Sequence, residues 1–267
     1  MNNIKIIYKD SDILILDKPA GIVVNKSDTT KGEYTVQDFI LDKFPGEFHS
    51  RGIPTEKYQR DKIDEESDFY KRAGIVHRID KETSGILIVA KNKEAFTNLQ
   101  AQFKDRKVEK TYVALVHGHV KAGSGEIAVP VGRLPWNRKK FGVLAGGKEA
   151  VTHYHVISNF PPKADQPRAD KSYTSNKKTE DLTLLKLTPK TGRTHQLRVH
   201  LKYFNHPIFG DYLYAGRKTS KNDRKILGRV FLHAQKISFY HPKTNQKVTF
   251  ETSLPTELTK TLEYIKD

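Results

Sequence analysis

The five apolar residues Ile86–Ala90, set between Gly85 and Lys91, constrain this chain more than any other stretch. An unbroken apolar run of that length reads as a buried strand, which must pack against other elements. The rest of the sequence supplies them. Lys93–Asp105 carries Phe96, Leu99 and Phe103 at helical spacing, and Val36–Phe44 does the same with Val36, Phe39, Ile40 and Phe44. Ile4–Tyr8 and Ile13–Leu16, divided by Asp10-Ser11-Asp12, read as a β-hairpin. Val108–Val116, Thr152–Ile157, Leu182–Leu187 and Phe231–Phe239 read as further strands, and Thr194–Phe204 and Thr256–Ile265 as helices. Strands and helices interleave without an even period and without a long linker. The expectation is one mixed α+β domain over 1–267, carrying polar insertions at about 45–71 and 159–181.

Charge narrows the partners. The chain holds 47 Lys and Arg against 31 Asp and Glu, a formal +16. The excess is uneven: residues 1–70 carry a net −4 and residues 71–267 a net +20. A footprint for a polyanion therefore belongs to the later three-quarters. Two basic runs stand out there. Arg138, Lys139 and Lys140 lie beside Trp136 and Phe141, and Arg217, Lys218, Lys221, Arg224, Lys225 and Arg229 meet only Asp223. Taken alone, such runs also describe an ordinary solvated face. No apolar run reaches the length of a membrane span, and the opening residues lack the apolar stretch of a signal peptide. With no cysteine in the chain, a disulfide framework is excluded and a reducing, cytoplasmic setting is expected.

Two stretches carry candidate chemistry. In GIVHRIDKETSGILIVAK, His77 and Arg78 precede Asp80, and the small-residue turn Thr83-Ser84-Gly85 leads into the apolar strand. A carboxylate on a loop beside a rigid strand can project into a cleft. It can equally cap its own turn. In TGRTHQLRVHL, Gly192 and Thr194 suggest a helix start, with Leu197, Leu201 and Phe204 facing the core, Arg193 at the helix mouth and Arg198 within it. An arginine brought to Asp80 would keep the carboxylate ionised and fix it through a two-pronged contact. The same arginines could instead contact phosphate or solvent.

HRIDKETSG and TGRTHQLRVHL resemble the two signatures of the RluA-type RNA pseudouridine synthases. DSDILILDKPAGIVVN, KTYVALVHG, the segment from AVPVGRLPW to THYHVI, HPIFGDYLYAG and LGRVFLHAQKISFYHP are similar to further family blocks, in family order. Ile79 stands where the family usually has Leu. The resemblance implies the pseudouridine synthase catalytic fold: a mixed, largely antiparallel sheet with flanking helices and a basic cleft. It implies that Asp80 attacks or deprotonates the target uridine, that Arg78 replaces the flipped nucleotide in the RNA stack, and that Tyr112 stacks on the uracil. Arg193 would pair with Asp80, and Leu197 would wall the pocket. His77, Thr83, Arg138, Lys139, Arg217 and Lys218 complete the expected substrate-binding set.

The expected substrate is rRNA or tRNA. The isomerisation is redox-neutral, so no cofactor and no metal are expected. The catalytic segments begin almost at Met1, so no separate N-terminal RNA-binding module is expected, and a monomer is the favoured state. Two other classes compete. A non-catalytic RNA-binding or ribosome-assembly factor would have no need of Asp80, Tyr112 and Arg193 together. A metal-dependent hydrolase would draw on the pairs His117 with His119 and His153 with His155, which lack an HExxH or carboxylate companion.

Overall fold

The computed structural model describes residues 4–27, 30, 32–48, 67–161 and 181–266. Along the chain, β1 (Lys5–Lys9) and β2 (Ile13–Lys18) precede α1 (Val36–Lys43), α2 (Pro45–Phe48) and α3 (Asp68–Lys71). Next come β3 (Ser84–Ala90), α4 (Lys93–Lys104), β4 (Glu109–His117), β5 (Ser124–Ala128), β6 (Val131–Leu134) and β7 (Asn137–Val143). They are followed by β8 (Val151–Phe160), β9 (Leu182–Pro189), α5 (Gln196–Tyr203) and α6 (Arg217–Asp223). β10 (Leu232–Tyr240), β11 (Lys247–Glu251) and α7 (Thr256–Lys266) end the chain. These elements group into two compact units, Met1–Thr111 with His233–Leu254, and Tyr112–Leu232 with Pro255–Asp267.

In the first unit, β2 pairs antiparallel with both β1 and β3. β3 runs parallel to β10, and β10 antiparallel to β11. The apolar run behaves as its sequence predicts: every residue of β3 is buried. Helix α4 begins where Asn92 accepts a hydrogen bond from the Ala95 N–H, and it buries Ala95, Phe96 and Leu99. A capping box starts α1, with the Thr35 and Asp38 side chains each accepting the other's backbone N–H.

Both ends of the expected 45–71 insertion are helical and contribute to the core. Phe48 in α2 and Phe69 in α3 are buried. Their rings lie 5.9 Å apart, and Phe69 meets Phe96 of α4 edge-on at 5.7 Å. Similarly, Asn159 and Phe160 belong to β8 and pair with β9. The remaining parts of the two insertions, 49–66 and 162–180, lie outside the described residues.

The second unit is antiparallel, in the order β4-β9-β8-β5. The hairpin of β6 and β7 forms a separate small sheet. Together the units have the mixed, largely antiparallel character expected, with helices alongside. Among the described residues no helix is long and apolar enough to cross a membrane.

Candidate active site

Asp80, His77, Arg78 and Thr83 belong to the first unit; Tyr112, Arg193, Leu197, Arg138, Lys139, Arg217 and Lys218 belong to the second. The Asp80 turn is closed by backbone, with the Thr83 N–H donating to the Asp80 carbonyl at 3.1 Å. Arg78 is exposed, Ile79 buried and Asp80 half-buried. Thr83 is itself buried. Past the turn, Gly85 adopts φ +116° and faces the Ala234 backbone, where an added Cβ would sit 2.2 Å from the carbonyl oxygen. Only glycine fits there.

His77 is spent on its own unit. Its ring stacks on Phe103 at 4.8 Å, and its Nε2 accepts the Ile88 N–H at 2.9 Å. It supports the strand leading out of the motif. Burial of the ring, with the Lys110 charge as a smaller cause, pushes its pKa down to about 3. Lys110 is pushed down to about 8, also by burial. The His77 shift has a definite sign in stability. The unfolded chain takes up a proton near pH 6.5 that the folded ring refuses until about 3, so stability falls as pH falls through that window. His77→Gln keeps an acceptor for Ile88 and removes the titration. Its urea midpoint should fall less than the wild type's between pH 7 and 5. Equal falls would mean that the folded ring protonates in place.

In the second unit, half-buried Tyr112 on β4 lies opposite Leu187 of β9. The start of α5 differs from the sequence expectation. The helix begins at Gln196, and His195, at φ 56°, occupies the cap position without a side-chain cap bond. The Gln196 side chain instead ties down the segment that precedes the helix. Its oxygen accepts from the Thr191 hydroxyl and the Arg193 N–H, and its nitrogen donates to the Val151 carbonyl and the Thr152 hydroxyl. The TGRTHQ segment is thereby fastened to β8. Arg193 donates through Nε to the Glu149 carbonyl at 3.0 Å, and Leu197 is buried.

Arg198 is neither a phosphate contact nor a solvated charge. It forms a buried two-pronged pair with Asp211, at 2.7 and 2.8 Å, and lies over the Tyr214 ring at 5.0 Å. The Tyr214 hydroxyl accepts the Phe141 N–H and meets His195 Nδ1 at 2.8 Å. This joins α5 to the base of the hairpin. The hairpin's far end exposes Arg138, Lys139 and Trp136, the last at 76%. Arg217 and Lys218 are exposed at the start of α6.

The histidine pairs are used differently. His117 bonds the buried Asp223 carboxylate at 3.0 Å, while His153 meets Glu126 at 2.8 Å on the surface. Neither pair enters a cluster of metal-ligating groups among the described residues.

Residues 12–203 match the RNA pseudouridylate synthase family. The chain is 37% identical over 257 residues to an uncharacterized RNA pseudouridine synthase of Aquifex aeolicus, spanning 94% of this chain and 70% of that one. It is 37% identical over 235 residues to the ribosomal large subunit pseudouridine synthase D of Borreliella burgdorferi, spanning 88% of this chain and 60% of that one. Among solved structures, human RNA pseudouridylate synthase domain containing 1 aligns with TM-score 0.68 and 25% identity, over 97% of this chain and 88% of the other. The chain belongs to the RNA pseudouridylate synthase family, of the RluA type. It is an enzyme, an isomerase that acts on RNA, and the comparisons favour this over the non-catalytic RNA-binding reading.

Proposed function

We propose that this chain converts uridine to pseudouridine in large-subunit ribosomal RNA in the cytoplasm, with Asp80 as the catalytic carboxylate. The observation that carries the choice of RNA is its 37% identity to a relative named for the large ribosomal subunit. The role of Asp80 rests on its place in HRIDKETSG, on a short turn leading into a fully buried strand. A reacting group on such a support keeps its geometry when RNA docks.

Isomerisation breaks the bond from uracil N1 to the ribose, turns the base and rejoins it through C5. The target base must first leave its stack, at a cost of a few kcal/mol. Exposed Arg78, two residues before Asp80, suits the vacated place in the stack, and an aromatic platform offsets part of the cost. Tyr112, Leu197 and Arg193 take the roles that the resemblance implies for them: base stacking, pocket wall and partner of the carboxylate. A carboxylate suits the step because it attacks or deprotonates while ionised and can afterwards release its adduct.

Pseudouridine mapping of ribosomal and transfer RNA from a deletion strain tests the substrate. Loss of one or more sites from large-subunit RNA is expected; loss confined to tRNA would refute the ribosomal assignment. We further assign Arg138, Lys139, Arg217 and Lys218 to RNA phosphates. Changing Arg217 and Lys218 to Gln should weaken RNA binding and reduce the slope of log K against log salt by about 0.7–0.9 per lost contact. An unchanged slope would place the footprint elsewhere.

A further inference from the structure

The hairpin of β6 and β7 carries the chain's single tryptophan at its tip. Leu134 pairs with Asn137, so Pro135 and Trp136 form a two-residue turn, and the Trp136 indole is 76% exposed. One exposed apolar side chain is ordinary; the setting of this one is not. The apolar residues that hold the hairpin lie at its other end. There Val131 is buried in a cluster with Ala150, Val199 and Tyr214, and Phe141 and Val143 pack against it. Phe141 is engaged on two sides, with the Arg133 guanidinium over its ring at 5.0 Å and His195 edge-on at 5.5 Å. Arg133 also donates across the hairpin to the Arg138 carbonyl at 2.9 Å. Trp136 thus sits on a braced arm, with the four residues from Phe141 to Asn137 carrying it about 13 Å beyond the anchor.

The indole is ringed by charge of one sign. Arg133, Arg138 and Lys139 are exposed, Lys140 is half-buried, and residues 131–143 contain no acid. An apolar protein surface covering Trp136 would have to balance all four cations. RNA meets both demands at once, a planar base face for the indole and phosphates for the cations. Bases inside a duplex have their faces covered, so a loop, bulge or single strand is required. We infer that Trp136 is a stacking platform for an unpaired RNA base that flanks the target nucleotide. The arm springs from beside His195, two residues past Arg193, and its length carries the indole clear of that segment. The inference rests on RNA following this hairpin, as the assignment of Arg138 and Lys139 to phosphates requires, and the test separates the two claims.

With one tryptophan in the chain, fluorescence excited where tyrosine does not absorb reports this position alone. The wild-type protein is titrated with a single-stranded oligoadenylate of about 12 nucleotides, within the usual single-strand site size, and with the same strand paired to oligouridylate. The single strand should quench the emission in step with binding, and the duplex should change it little. Trp136→Ala should raise the Kd for the single strand by about 5- to 100-fold, the usual loss per stacked base, while Trp136→Phe, which keeps an aromatic face, should stay within about fivefold of wild type. The slope of log K against log salt should be the same in Trp136→Ala as in wild type, because no phosphate contact is lost. Arg138→Gln combined with Lys139→Gln should reduce that slope. A Trp136→Ala Kd within about twofold of wild type, with the slope reduced in the charge variant, overturns the platform and leaves the phosphate contacts standing. Equal quenching by strand and duplex also overturns it, placing the indole near RNA with no base upon it. An unchanged slope in the charge variant, with Trp136→Ala neutral, overturns both claims.

Discussion

Asp80→Asn should reduce pseudouridine formation by on the order of 10⁴-fold, the scale seen when an enzyme loses an essential carboxylate or nucleophile. The protein should remain folded and bind RNA. Asparagine is nearly isosteric with aspartate, and the turn is closed by the Thr83 N–H on the Asp80 carbonyl, which the substitution leaves in place. Neighbouring support comes from β3 and from the Lys18 ammonium, neither of which the substitution alters. The phosphate contacts assigned to the basic runs lie on other segments, so the RNA Kd should stay within a few-fold of wild type. Tritium release, RNA binding and thermal melting on one preparation check all three expectations. Turnover within tenfold of wild type would remove Asp80 from the chemistry and return it to the turn-capping role that its sequence position also allowed.

The local part of the fold was legible because local physics decides it. Ile86–Ala90 is apolar throughout and becomes a strand buried throughout. Lys93–Asp105, with Phe96, Leu99 and Phe103 at helical spacing, becomes the helix Lys93–Lys104. Where longer-range contacts decide, the sequence misleads. Phe48 and Phe69 sit in charged surroundings that read as a surface insertion, yet their rings join Phe96 in the core. Gly192 and Thr194 read as a helix start, but the Gln196 side chain reaches back to the Arg193 N–H and the helix starts later, at Gln196. Arg198 and Asp211 are 13 residues apart across a loop, and such a pair leaves no periodic trace. Lys18 defies the expectation that lysines face water; three backbone carbonyls that no sequence pattern announces accept from its ammonium. The candidate site was legible in another way. Asp80 came forward through the resemblance of its whole motif, since spacing alone left it balanced between turn cap and catalyst.

Arg198→Met should cause a large loss of stability, because it strands a buried charge. Asp211 is fully buried, and Arg198 is 5% exposed. The Asp211 carboxylate accepts both prongs of the guanidinium and also the N–H groups of Leu213 and Tyr214. The substitution leaves that carboxylate in the interior without its counter-charge. Breaking one side of a buried pair costs about 3–5 kcal/mol, which for a chain of this size lowers the melting temperature by roughly 10 °C or more. Arg198→Lys should cost less, because it keeps the charge and loses the fork. Combining Arg198→Met with Asp211→Leu would relieve the unpaired charge but leave the two N–H groups without their acceptor, so only part of the stability should return. Because Arg198 lies over Tyr214, which bonds the Phe141 N–H at the hairpin base, Arg198→Met should also loosen the hairpin carrying Trp136, Arg138 and Lys139. RNA affinity should then fall while the saturated single-turnover rate holds. A variant that melts within about 2 °C of wild type would show that the carboxylate finds another partner or takes up a proton, and the pair would not be what holds α5 to the hairpin.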